Sequence, residues 1–290
     1  QSNPDAADRL SRILASLLES MPASGGHARQ AIDSRTQEML QSLGYVSSSH
    51  SLSRGGASGA DPKDKIGLWT RIESGLALFD QGDDSNAIKI FKSALAQDSA
   101  IPILYDHIGW SYFRLNQYDL AESTYRQAIE RGFDSAETRA NLGLIYYRWG
   151  EFEKAVEELE AALKLEQTSI PAHYRLADVY RATRKYPTAI THYRRVLEID
   201  PGYVWAMNGL GMALAATGKS EEALTAFRDA VRIEPEMAPG HLNLAGHRER
   251  MKLFPDALDA YIKVMDLSTE IDFPRERSLA SAAIKRLQGQ

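Results

Sequence analysis

From Leu68 onward the apolar positions of this chain recur at helical spacing. Leu142, Ile145 and Tyr146 are one example of the i, i+3, i+4 pattern, repeated on both sides of short polar stretches. The stretches carry turn chemistry: QGDD at 81–84, LNQYD at 115–119, WGEFE at 149–153 and TGKSE at 217–221. This alternation predicts a run of helix–turn–helix pairs and no strands.

Written in rows of 34, the same region aligns without insertion. One column holds Ala87, Ala121, Ala155, Ala189, Ala223 and Ala257. Twelve residues earlier stand Gly75, Gly109, Gly143, Ala177, Gly211 and Ala245. Four residues after each Ala comes a large apolar residue: Phe91, Tyr125, Leu159, Tyr193, Phe227 and Tyr261. Three further on are Ala94, Ala128, Ala162, Val196, Ala230 and Val264. Small residues where helices cross let backbones approach, and the large neighbour fills the adjoining groove. Such a hairpin cannot bury its apolar face alone, so consecutive rows must stack around one continuous core.

The period of 34, with NLGLIYYRWGEFEKAVEELEAALKLE at 141–166 and GLGMALAATGKSEEALTAFRDAVRIEP at 209–235, resembles the tetratricopeptide repeat (TPR). The resemblance implies an all-α, right-handed superhelical solenoid of six repeats. These are 68–101, 102–135, 136–169, 170–203, 204–237 and 238–271, with a C-terminal capping helix over 272–290. The outer rows drift: Ser74 stands where Leu is usual, and Arg248 takes a column otherwise held by Tyr112, Tyr146, Tyr180 and Leu214.

In this family the first helix of each repeat lines a groove that grips an extended peptide or a helix. The resemblance assigns to that groove Trp110, Phe113, Arg114, Asn141, Tyr147, Arg148, Tyr174, Arg175, Arg181 and Asn208. Arginines among aromatic rings suit a carboxylate-bearing or aromatic peptide, unless they pair with acids such as Asp106, Glu137 or Asp178. Asn141 and Arg175 also match two slots of the TPR clamp for chaperone C-termini. Asp106, Trp110 and Pro171 replace its other donors, which argues against that ligand.

Composition narrows the remaining chemistry. A net charge of -5 disfavours a nucleic-acid partner, and no apolar run reaches the ~20 residues of a membrane span. Without Cys there is no thiolate chemistry. His241 and His247 lie six apart, off the spacing that shares a helix face, and predict no metal site. The acidic run EFEKAVEELE is expected to be a solvated face supporting Lys154 at i+4 spacing. No nucleophile–base–oxyanion set is recognisable, so no catalytic residue or cofactor is expected.

The first third differs. Leu10, Ile13, Leu14, Leu17, Leu18 and Met21 form one stripe, and Met39, Leu40 and Leu43 another, predicting two amphipathic helices within 1–46. A Ser/Gly-rich tether is expected over 47–67. LQSLGYV and DPKDKI within residues 5–66 resemble the C-terminal end of bacterial sulfatase-like proteins of the alkaline phosphatase superfamily. That implies a periplasmic or other extracytoplasmic parent hydrolase, with this region as its accessory interaction module. Two alternatives stand beside it: self-association with the N-terminal helices in the groove, forming a homo-oligomer, and a fragment of an enzyme whose catalytic domain lies upstream.

Overall fold

The computed structural model describes residues 62–269 and 272–289, and the two expected N-terminal helices lie outside them. The described residues form thirteen helices and no strand. The chain divides into two compact units, 1–124 and 125–290, with the border inside one helix.

In the first unit, α1 (Pro62–Asp80) and α2 (Asp84–Gln97) make a hairpin, followed by α3 (Pro102–Arg114) and the start of α4 (Tyr118–Glu130). Helix α1 begins at Pro62, so the last six residues of the expected tether are helical. Proline suits a first helical turn, where its missing N–H is not needed. The second unit continues with α5 (Ala136–Trp149), α6 (Phe152–Leu165), α7 (Ile170–Ala182), α8 (Tyr186–Ile199), α9 (Val204–Ala216), α10 (Ser220–Ile233), α11 (Ala238–Arg250) and α12 (Phe254–Leu267). Helix α13 (Pro274–Gln288) closes it, packed on α12 and α11.

The repeat columns are the core. All six column alanines are fully buried, and their large partners are at most 5% exposed. Fully burying one large apolar side chain contributes roughly 1.5–3 kcal/mol, so each row carries its own stabilising anchor. One continuous cluster runs from Ala177 through Tyr193, Leu210 and Phe227 to Leu244, crossing three rows, as stacking requires. The last hairpin shares Ala257, Tyr261 and Val264 with Ala280 and Ala283 of α13, which caps the apolar end. Arg277 donates to the carbonyls of Met265 and Ser268, and Arg286 grips the Glu249 carboxylate at 2.7 and 2.9 Å.

Within each hairpin the turn uses one left-handed residue at the same place in every row. These are Gly82, Asn116, Gly150, Arg184, Gly218 and Lys252, with φ between +58° and +80°. Glycine and asparagine adopt this conformation readily, whereas Arg and Lys do so at a cost of roughly 1–2 kcal/mol.

Candidate functional site

Helices α5, α7 and α9 are the first helices of consecutive rows, and α7 packs against both others. On α7, Pro171, Tyr174, Arg175 and Asp178 project from one face, as i, i+3, i+4 and i+7 spacing dictates. They enclose a cavity of about 250 Å³ with Leu144 and Tyr147 of α5 and Tyr203, the residue capping the start of α9.

Arg175 is the unusual member. Its guanidinium makes no hydrogen bond among the described residues, and Nη1 is sealed from solvent without a partner. Desolvation pushes its pKa below the ordinary value. Tyr125, Tyr203, Glu137 and Tyr174 act in the opposite direction. Arginine nonetheless stays a cation at neutral pH.

Asp178 is committed elsewhere. Its Oδ1 accepts from Tyr193 Oη at 2.6 Å and from Arg181 Nη2 at 2.9 Å. Burial, followed by the Asp178 charge, pushes the Tyr174 and Tyr193 hydroxyls well above their usual range. Burial does the same at Tyr203. These phenols therefore remain protonated at neutral pH.

The ten residues expected in a groove thus separate. Tyr147, Tyr174 and Arg175 meet at the cavity, and Arg181 lies next to it but is tied to Asp178. Arg148 is exposed at the end of α5. Asn141 and Asn208 are buried, and Asn208 Oδ1 accepts from Asn243 at 3.0 Å. In the first unit Trp110 stacks on Phe113 with ring centroids 5.1 Å apart. Arg114 there pairs with the buried Asp84 at 2.5 Å, donates to the Phe79 carbonyl and covers the Phe79 ring at 4.1 Å. Tyr203 was missed because it lies in the loop between rows, outside the helical columns.

Other polar groups serve the fold. Lys154 meets Glu151 at i+3 spacing, and Glu158 receives Arg139 at 2.8 Å across helices. His247 contacts the Ser220 carbonyl at 2.8 Å, and His241 that of Pro235 at 3.0 Å. His173 and His192 form an unforeseen pair, Nδ1 to Nδ1 at 3.0 Å, with His173 Nε2 at 3.1 Å from the Gln167 carbonyl. Among the described residues no group of three or more His, Asp or Glu is placed to hold a metal ion. No described helix is long and apolar enough to cross a membrane.

Models described as tetratricopeptide repeat match residues 103–131, 169–235 and 208–265, and one described as TPR repeat matches 143–183. No curated protein matches the chain significantly. Among solved structures it is similar to a chain of the APC/C hetero-tetramer Cut9–Hcn1, with a TM-score of 0.68 and 18% identity. That match covers 78% of this chain but only 44% of the other, so this chain spans less than half of that relative's length. It is also similar to the C-terminal part of a TPR repeat-containing protein from Cytophaga hutchinsonii (TM-score 0.53, 16% identity, 76% of this chain and 96% of that one). A thermophilic TPR protein of Thermus thermophilus gives a TM-score of 0.54 at 17% identity over 61% and 96%. At these identities the likeness concerns the fold.

Proposed function

Since the chain is a tetratricopeptide repeat protein, we propose that it is a non-catalytic interaction scaffold that binds a peptide or a partner helix along its first-helix face. The observation that carries this reading is the cavity of about 250 Å³ between α5, α7 and the head of α9. Three phenol rings and Leu144 give it apolar walls, and one cation lies within it, which is the composition of a recognition pocket. Tyr147 and Tyr174 anchor apolar parts of the ligand, and the exposed Arg148 reads acceptors nearby. The Trp110–Phe113 stack offers apolar surface in the first unit.

The test is a random peptide library displayed internally and selected on the full chain, followed by fluorescence anisotropy. Tyr174→Ala should weaken the selected peptides by tenfold or more. Affinities that survive both Tyr174→Ala and Tyr147→Ala would remove the groove from the reading.

The resemblance of 5–66 to the ends of sulfatase-like proteins supports a role as accessory module of a larger extracytoplasmic hydrolase. Sequencing the gene upstream of the codon for Gln1 checks this. A reading frame there without a sulfatase-type metal site would discard the parentage and leave the scaffold role standing.

A further inference from the structure

His173 on α7 and His192 on α8 face each other within the fourth hairpin, Nδ1 to Nδ1 at 3.0 Å. The repeat does not ask for imidazoles there. One row earlier the same two columns hold Arg139 and Glu158, an ion pair at 2.8 Å. One row later they hold Met207 and Ala226. Both of those rows close the same kind of hairpin. Two nitrogen donors at this place are therefore a feature added to the fold.

The tautomers follow from the hydrogen bonds. A backbone carbonyl only accepts, so His173 Nε2, 3.1 Å from the Gln167 oxygen, carries a proton. Neutral His173 then presents the bare lone pair of Nδ1, and His192 Nδ1–H donates to it. Burial holds both rings below the ordinary histidine pKa and so uncharged at neutral pH. An imidazole whose far N–H is held by a backbone carbonyl has the fixed tautomer and orientation of a metal ligand. Tyr180 stacks on the other ring, with centroids 5.6 Å apart and planes 23° from parallel. His173 is buried and His192 half-buried, so the pair is reached past His192.

The spacing selects the ion. An imidazole nitrogen sits ~2.0–2.1 Å from a first-row metal such as zinc, so donors 3.0 Å apart subtend about 91–97° at it. That is the angle between neighbouring ligands of a square-planar or octahedral centre. A tetrahedral centre needs donors about 3.3–3.4 Å apart. Tetragonal nitrogen and oxygen coordination suits copper(II) or nickel(II), and copper(II) stands highest in the divalent series. No third His, Asp or Glu joins the pair among the described residues, which leaves the other positions to water. The Arg195 charge opposes a cation at His173, but Glu198 favours one and pairs with Arg195 at 2.8 Å.

We propose that His173 and His192 form a two-histidine site for a tetragonal divalent ion, copper(II) ahead of nickel(II), bound through both Nδ1 atoms. The proton on His192 Nδ1 goes to solvent as Nε2 takes one up, so both rings stay neutral. The site gains the charge of the ion alone. The bound ion ties α7 to α8 and so braces the hairpin that carries Tyr174. The site does not depend on the scaffold reading.

The test titrates copper(II) into the full chain at neutral pH against a competing chelator, and counts coordinated imidazoles by electron spin resonance. The expected result is a site with two imidazole nitrogens. His173→Gln and His192→Gln should each reduce the count to one and weaken binding by about tenfold to a hundredfold or more, since losing a ligand costs at least as much as losing its supporting partner. His173→Arg combined with His192→Glu installs the residues of the preceding row in the same columns, so it should fold and lose the site. Nickel(II) should raise the melting temperature of the parent chain and leave that of this double variant unchanged, because only the parent binds the ion in its folded state. A single imidazole on the copper bound by the parent chain would overturn the proposal without recourse to any variant. So would equal copper affinity in the parent and the double variant, which places the ion elsewhere. Tighter binding of zinc than of copper would remove the tetragonal assignment.

Discussion

Two glycine-to-alanine changes in helices of the same unit should move stability in opposite directions. An alanine Cβ at Gly143 would lie 2.5 Å from Leu159 Cγ, 2.8 Å from its Cδ2 and 3.2 Å from the Ala155 carbonyl oxygen. Leu159 is fully buried, so its side chain has no open space to retreat into. At Gly246 the nearest neighbour would be Tyr261 Oη at 3.7 Å, an ordinary contact. Both replacements gain the same backbone preference, about 0.5–1 kcal/mol in a helix interior. Only Gly143→Ala adds overpacking, at about 1–3 kcal/mol. Gly246→Ala should therefore stabilise by about 0.5–1 kcal/mol, and the two variants should differ by about 1–3 kcal/mol. Urea unfolding followed by circular dichroism reads this as opposite shifts of the midpoint at constant slope. Adding Leu159→Ala to Gly143→Ala should cost less than Leu159→Ala alone, with a coupling of about 0.5–3 kcal/mol. Equal stabilisation by both glycine replacements would refute the close approach of α5 and α6 as the reason for a small residue there.

Further outcomes follow from other features. Arg184→Gly and Lys252→Gly should each stabilise by about 1 kcal/mol in thermal melts, because these residues hold φ of +59° and +62° in the hairpin turns. Arg114→Ala should cost about 1–3 kcal/mol, discounted for its partial exposure, because it leaves the buried Asp84 carboxylate alone; Asp84→Asn should cost less. Burial, and then His173, lowers the His192 pKa to about 4 from an ordinary 6.5. The folded state thus binds fewer protons in that window, so this contribution is complete above pH 6.5 and is lost as pH falls toward 4. His192→Gln should flatten that part of the urea midpoint against pH, and an unchanged curve would contradict the lowered pKa of the buried His192. Ala155→Leu should destabilise by about 1–3 kcal/mol through overpacking of a fully buried site.

The columns of the repeat were legible because packing imposes them locally. Ala155 must be small and Leu159 large wherever helices cross at that register, and both are fully buried. The turns were legible for the same reason at Gly82, Gly150 and Gly218, though nothing local marks Arg184 or Lys252 as left-handed. The site was only half legible. Column position brought Tyr147, Tyr174 and Arg175 together, but which acid each arginine meets is not set by its column. Arg114 finds Asp84 thirty residues away, whereas Arg181 finds Asp178 one turn before it. Tyr203 comes from a loop and His173–His192 from two different helices, so neither has a periodic signature.

The left-handed joints recur at an interval of 34 residues, as from Gly82 to Asn116 to Gly150, and they set how the chain would yield under tension. A hairpin that lets go releases one such interval, a contour of roughly 110–120 Å at 3.3–3.6 Å per residue. Pulled from its ends, the array should lengthen in steps of that size. The hairpins turned by Arg184 and Lys252 carry strained joints and should give way before their glycine-turned neighbours, giving the array a built-in order of extension.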